Sequence, residues 1–133
     1  MKTEEQITYW LEIAEYDFIT AKAMLKAKRY LYVGFMCHQV IEKALKAYYV
    51  HKNSQIPPYS HNLPNLSHLS NLYNSMSEQF KDFLDELLPL NIESRYPTYK
   101  EELLKKLNYN YCTDLLKRTE ELYKWIKSKL LKN

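Results

Sequence analysis

The spacing of apolar residues in the first part of the chain predicts a long amphipathic helix. Between residues 7 and 25 apolar side chains recur at alternating intervals of four and three, the pattern of one buried helical face. The members of this seam are Ile7, Leu11, Ala14, Phe18, Ala21 and Leu25. Thr3 and Gln6 have the spacing of a capping box, so we expect the helix to begin at Thr3 and to end near Ala27.

A wider apolar face predicts that the second helix, from about Tyr32 to His51, is the most buried element. Gly34 lies inside this helix, where the missing side chain would let another helix approach closely. Residues 53–62 follow as a loop, because two prolines and several cap-forming polar residues exclude regular structure there.

Three more helices are predicted in the second half of the chain. Pro64 suits the first turn of a short helix that runs to Tyr73. Ser75 and Glu78 have the spacing of another capping box, and Pro89 would kink or end the helix that they open.

The last helix is predicted from about residue 100 to residue 131, where leucine, tyrosine and isoleucine repeat at helical spacing. The sequence therefore predicts an all-α fold: an antiparallel up-and-down four-helix bundle with an additional short helix, in a single domain over residues 1–133. The first and last helices have seams nearest the ideal spacing, so we expect them to pack nearly antiparallel.

Composition supports this class of fold and narrows the function. One glycine among 133 residues argues against a β-rich fold, and a formal net charge of +3 permits an anionic ligand without indicating a nucleic-acid binder. Cys37 and Cys112 have no metal or redox spacing, so we interpret them as reduced core thiols. The acidic N-terminus does not resemble a signal peptide, and no apolar run is long enough for a membrane span, so we expect a cytoplasmic protein.

Four polar residues form a stripe on the second helix: Gln39, Glu42, Lys43 and Lys46. Their positions at i, i+3, i+4 and i+7 share one helical face. One interpretation is a solvated face with local charge pairs. The other is the wall of a groove, in which the two lysines hold an anionic ligand.

Three short segments together resemble the HEPN domain family. They are the stripe itself, read as Gln-x-x-Glu-Lys-Ala-Leu-Lys, then Ser60-His61-Asn62-Leu63, and then Ser94-Arg95-Tyr96-Pro97. The resemblance implies a helical bundle that usually dimerises and is often encoded beside a minimal nucleotidyltransferase. It also implies a place in toxin–antitoxin or defence systems and a nucleotide ligand.

Many HEPN proteins are metal-independent ribonucleases that use an arginine and a histidine four to six residues apart. Arg95 is the matching arginine, but positions 100–102 hold Lys, Glu and Glu where the histidine would fall. We therefore assign no catalytic residue and expect a non-catalytic nucleotide-binding and protein-interaction module. The alternative is a metal-independent ribonuclease with an unconventional active site, in which His61 arrives from elsewhere in space.

The candidate nucleotide site combines the stripe with the arginine turn. Its residues are Gln39, Lys43, Lys46, Arg95 and Tyr96. The phosphates would lie near the cations, and the base or sugar near Gln39 and Tyr96. No metal or other cofactor is expected, and the expected partners are a second copy of the chain and a minimal nucleotidyltransferase, not RNA or a membrane.

Three residues are assigned either to structure or to the ligand: Asp17, Glu42 and His61. An arginine at a helix break often pairs with a carboxylate of the bundle, so Arg95 has Asp17 or Glu42 as an alternative partner. His61 stands at the end of the loop, where it would cap or pack against a helix, or else contact the ligand.

Overall fold

The computed structural model describes residues 2–91 and 97–131, with side chains for all of these except residues 97–100. The helices are α1 (Thr3–Lys26), α2 (Tyr30–Asn53), α3 (Leu63–Leu69), α4 (Glu78–Leu87), α5 (Pro97–Lys106) and α6 (Tyr109–Leu130). Two short 3-10 turns lie at Tyr73–Ser75 and Leu88–Leu90, and this part of the chain contains no strand. The predicted all-α helical bundle is therefore confirmed.

Helix α2 is the centre of the bundle, as its wide apolar face predicts. Fourteen of its 24 residues are buried, and it packs most extensively against α1 and next against α6. A Cβ atom on Gly34 would lie 3.4 Å from Leu90 Cδ1 and 3.5 Å from Leu107 Cδ2, so the glycine leaves room for these two leucines. The close approach predicted at Gly34 thus involves the turn after α4 and the junction after α5.

Helices α1 and α6 contact each other less than each contacts α2. Glu15 connects them, because its carboxylate accepts a hydrogen bond from the Tyr123 hydroxyl at 2.8 Å and lies 3.5 Å from Lys127 Nζ. The apolar seams of the two outer helices therefore serve chiefly to pack on α2, and the direct contact between them is partly polar.

The predicted last helix, from residue 100 to residue 131, is wrong as a single element. Helix α5 ends at Lys106 and α6 begins at Tyr109, with the buried Leu107 and the extended Asn108 between them. Asn108 Oδ1 accepts a hydrogen bond from the Tyr111 backbone N–H at 2.8 Å. This is an N-cap, so the break has a local cause that outweighs the continuous helical pattern around it.

The two predicted capping boxes are also wrong, because neither Thr3 nor Ser75 occupies a capping position. Thr3 is the first helical residue of α1, after Lys2, which caps nothing with its side chain. Ser75 belongs to a 3-10 turn, and Ser77 caps α4 by accepting a hydrogen bond from the Phe80 N–H at 3.1 Å. In both places the N-cap position is the residue with an extended backbone just before the helix, which is Lys2 for α1 and Ser77 for α4.

The loop between α2 and α3 carries part of the candidate site. Helix α2 ends at Asn53, and the next residue, Ser54, adopts the left-handed conformation with φ of 53°. Helix α3 starts after Asn62, whose Oδ1 accepts from the Asn65 N–H at 2.8 Å, with Pro64 in the first turn as predicted. The helix ends at Leu69, four residues before the predicted end at Tyr73.

Within the described residues, no helix is both long and apolar enough to cross a bilayer.

Candidate functional site

A buried carboxylate, Glu42, forms the centre of the candidate site. Only 1% of Glu42 is exposed. Its Oε2 atom accepts a hydrogen bond from Lys46 Nζ at 3.0 Å, and its Oε1 atom accepts one from His61 Nδ1 at 2.7 Å. A buried charge is tolerated only when it is paired and hydrogen-bonded, and both carboxylate oxygens meet that condition here.

Most of the polar stripe is buried, so its interpretation as a solvated face is wrong. Gln39 is 7% exposed and Lys46 is 5% exposed, close to the value for Glu42. The stripe is covered because Trp10 and Asp17 of α1, with Tyr59 and His61 of the following loop, lie against it. The polar stripe belongs to a buried network between α1, α2 and the loop. The positions of polar residues on one helical face do not by themselves show whether that face is buried or exposed to solvent.

The pKa of Glu42 reflects two opposing effects. Burial works to raise it, but the hydrogen bonds from His61 and Lys46, together with the charges of Lys46 and Lys43, outweigh burial, and the pKa lies below the ordinary value. Glu42 is therefore ionised at neutral pH and holds both partners by charge-assisted hydrogen bonds.

His38 continues the network beneath the stripe. It is fully buried, and its Nε2 atom donates a hydrogen bond to the His61 carbonyl at 3.1 Å. Its Nδ1 atom then accepts from Gln39 Nε2 at 3.4 Å, which requires a neutral ring. Burial lowers the pKa of His38 to about 4, in agreement with that neutral form.

The sequence prediction missed His38 as part of this cluster. The available signal was its position four residues before Glu42, one helical turn away on the same face. His38 Nδ1 lies 3.9 Å from Glu42 Oε1. The histidine serves to fix the loop, through its bond to the His61 carbonyl.

Gln39 links the buried histidine to the more open edge of the cluster. Its Oε1 atom accepts a hydrogen bond from Lys43 Nζ at 2.7 Å. Lys43 in turn lies 3.9 Å from Asp17 of α1, and the two side chains are 18% and 15% exposed. Burial raises the pKa of Asp17, while Lys43 opposes that shift.

Two aromatic rings border the ammonium group of Lys46. Its Nζ atom lies 5.5 Å from the centroid of the Trp10 ring and 6.0 Å from that of Tyr59. The Tyr59 ring also meets the His61 ring edge to face, with centroids 5.4 Å apart, although Tyr59 is 93% exposed. Such contacts between a cation and aromatic rings are favourable and help to position Lys46.

His61 does not cap the following helix, because Asn62 performs that role. Instead, both the ring and the backbone carbonyl of His61 are bound to α2, through Glu42 and His38 respectively. The side chain is 33% exposed, which makes it the most accessible ionisable group of the cluster. Arg95 and Tyr96, the remaining members of the predicted site, lie outside the described residues.

A second polar cluster surrounds Arg118, apart from the stripe. Its Nη1 and Nη2 atoms donate to both oxygens of Glu86, at 2.8 and 2.7 Å, and the Tyr111 hydroxyl also donates to Glu86. The bonds from Arg118 lower the pKa of Glu86 to about 2. A cavity of about 390 Å³ lies beside this pair, over Phe80 and Phe83. The guanidinium is thus neutralised by two carboxylates of the protein, Glu86 and Asp114, whose Oδ2 atom lies 2.7 Å from Arg118 Nε.

The two cysteines and the histidines of the described residues are not arranged as ligands of a metal ion. Cys37 and Cys112 are buried, and burial raises their pKa values to about 12 and about 11, so both remain neutral thiols at physiological pH. In the part of the chain that the structure describes, no three His, Cys, Asp or Glu side chains are grouped as ligands for a metal ion.

Nearly the whole chain matches the model of one protein family. The model of a family described as the HEPN domain matches residues 7–129, a range that includes the stripe, the loop and most of both outer helices. No curated protein and no solved structure gives a match.

The neutral state of buried His38 predicts a loss of stability in acid. Below pH 6.5 an unfolded chain protonates this histidine, whereas the folded chain resists protonation until about pH 4. Folded stability should therefore fall as the pH is lowered through this window, by about 3 kcal/mol from this group. Urea unfolding of wild type and His38→Gln between pH 7 and pH 4 measures the effect.

The glutamine variant keeps an amide donor for the His61 carbonyl but cannot be protonated, so its pH dependence should be flatter. His68→Gln is the matched control, because His68 is exposed and its replacement should leave the wild-type slope. An equal slope in His38→Gln and wild type would contradict the assignment.

Proposed function

Since the chain belongs to the HEPN domain family, we propose that it is a non-catalytic HEPN module that binds a nucleotide. It acts with a nucleotidyltransferase partner in a toxin–antitoxin-like pair. The observation that supports this proposal is that the side chains of the polar stripe on α2 bond to one another and that His38 beside them is buried. Lys46 is bound to Glu42, Lys43 is bound to Gln39, and His38 is buried and neutral.

Mutual pairing favours binding over catalysis because general acid–base chemistry needs a group that exchanges a proton with the substrate. Lys46 and His38 have almost no solvent access. The paired side chains are well suited to another task, which is to hold the exposed edge of the cluster in a fixed geometry.

The nucleotide phosphates would meet this exposed edge, at Lys43 and His61, instead of the buried Lys46. An ammonium group has three N–H donors, and Lys43 uses one of them on Gln39. Gln39 is then a positioning residue for Lys43. Arg95 and Tyr96 remain part of the proposed site because of the family resemblance.

The proposed partners are a second copy of the chain and a minimal nucleotidyltransferase. Support comes from exposed apolar side chains on α1, where Tyr16 and Ile19 lie one turn apart and are exposed by 70% and 67%. Exposed apolar patches of this kind often mark protein interfaces.

Light scattering at high protein concentration should give the mass of a dimer, and a strict monomer would contradict this part of the proposal.

Calorimetric titration of ATP and related nucleotides tests the binding function. Wild type should bind, and Lys43→Ala or Arg95→Ala should weaken binding roughly tenfold or more through the loss of one charge-assisted contact. Lys46→Ala should instead lower the melting temperature, because it leaves Glu42 buried without a cation. Lys124→Ala removes an exposed lysine of α6 and is the control.

The absence of any heat with wild type at millimolar nucleotide would remove the binding function. Only the protein-interaction part of the proposal would then remain.

A second candidate function, a metal-independent ribonuclease, is favoured by the contact between His61 and Glu42. A buried carboxylate bound to Nδ1 of a partly exposed histidine is the arrangement that orients a general base in hydrolases. With Nδ1 protonated, His61 Nε2 could accept the proton of a ribose 2′-hydroxyl. Lys43 or Arg95 would then neutralise the phosphate.

Incubation with structured RNA and transfer RNA, without metal, decides between the two functions. We expect no cleavage above background, because the histidine expected after Arg95 is absent. If cleavage appears and is lost in His61→Gln and Arg95→Ala, while Lys124→Ala retains it, the ribonuclease replaces the non-catalytic module.

A further inference from the structure

Large apolar side chains of the α2–α3 loop are exposed beside the charged cluster. Ile56 is 78% exposed and Tyr59 is 93% exposed. They belong to a loop that is attached to α2 by two hydrogen bonds, one donated by the His61 ring to Glu42 and one accepted by the His61 carbonyl from His38. Two such side chains on an anchored loop, next to a partly buried tryptophan, form a surface that offers ring faces and apolar edges to a ligand.

A shallow cleft lies at the same place, between α1 and this loop. Its volume is about 260 Å³, and its lining residues are Gln6, Tyr9, Trp10 and Ile56. Tyr9 and Trp10 meet edge to face within it, with ring centroids 5.5 Å apart. Apart from Gln6, the lining is apolar and aromatic, which suits a flat heteroaromatic group.

Trp10 connects the cleft to the charged cluster. Its ring lies 5.5 Å from Lys46 Nζ, and that same ammonium lies 6.0 Å from the Tyr59 ring. Tyr59 in turn lies against His61. A ligand that placed an aromatic group on these rings would therefore present an attached anionic group to the edge formed by His61 and Lys43.

We infer that the cleft between α1 and the α2–α3 loop, with Tyr9 and Trp10 as its lining rings and Tyr59 beside it across Lys46 Nζ, binds the base of the nucleotide. This inference rests on the proposed function, since it assigns a place to one part of the same ligand. Stacking on aromatic rings tolerates any base and contributes substantial affinity. The buried Gln39, bonded to Lys43 and His38, is not needed for the base.

The two tryptophans of the chain make the assignment measurable. Trp125 packs against Phe80, with ring centroids 5.5 Å apart, and belongs to a different part of the fold. In Trp125→Phe the remaining tryptophan is Trp10, and in Trp10→Phe it is Trp125, so tryptophan emission reports on one site at a time. Titration with AMP should quench the emission of the first variant and leave that of the second unchanged.

Affinity is measured in parallel by calorimetry with AMP and with ribose 5-phosphate, which lacks the base. Tyr59→Ala should weaken AMP binding about tenfold and leave ribose 5-phosphate binding unchanged. Tyr59 is almost fully exposed, so its removal should not disturb folding. Tyr109→Ala removes another exposed tyrosine, at the start of α6 and not in the lining of the cleft, and should bind AMP as wild type does.

The outcomes separate the inference from the proposed function. If wild type binds AMP but Trp10 is not quenched and Tyr59→Ala retains full affinity, the base lies elsewhere and the inference is wrong while nucleotide binding stands. If wild type binds neither AMP nor ribose 5-phosphate at millimolar concentration, both are overturned.

Discussion

The burial of one ionised carboxylate constrains the rest of this site. Glu42 lies in the middle of the central helix with 1% of its surface exposed, and its charge persists there because Lys46 and His61 both donate to it. Removing a charge from water costs several kcal/mol unless it is paired in good geometry. The positions of the loop histidine and of the lysine one turn away therefore follow from a single residue of α2.

The same constraint extends outward to the surface. His61 is fixed by its ring on Glu42 and by its carbonyl on His38, so the loop that carries Ile56 and Tyr59 is attached to α2 at its end. Lys43 reaches Asp17 and thereby connects α2 to α1. A buried polar network of this kind stabilises only when its members are all satisfied, and the satisfied interior gives the exposed edge its fixed shape.

Much of the fold could be predicted from apolar periodicity, and the errors have local causes. The centrality of α2 followed from its wide apolar face. The break before α6 did not, because one asparagine side chain bound to the Tyr111 N–H ends a pattern that otherwise continues. The capping residues of α1 and α4 were misassigned because a capping box depends on which backbone position is extended, which spacing alone does not determine.

The sequence predicted which polar residues of α2 share one face, but not what packs against that face. The spacing brought Gln39, Glu42, Lys43 and Lys46 to one face, and the resemblance drew attention to His61. Whether that face is exposed to solvent or buried depends on how α1 and the loop pack against it, and the sequence pattern of one helix does not contain that tertiary information. His38 was missed for the same reason, since its role appears only when the carbonyl of His61 is brought to its ring.

A double-mutant cycle on Glu42 and Lys46 tests the central claim most directly. Urea unfolding of Glu42→Leu, Lys46→Met and the double variant gives the coupling free energy between the two side chains. Each single variant should lose about 3–5 kcal/mol, and the double variant much less than the sum, because it leaves no unpaired buried charge. The exposed pair Glu78 and Lys81 is the reference, with an expected coupling below about 1 kcal/mol. Additive losses at Glu42 and Lys46, with a coupling no larger than in the reference pair, would contradict the account.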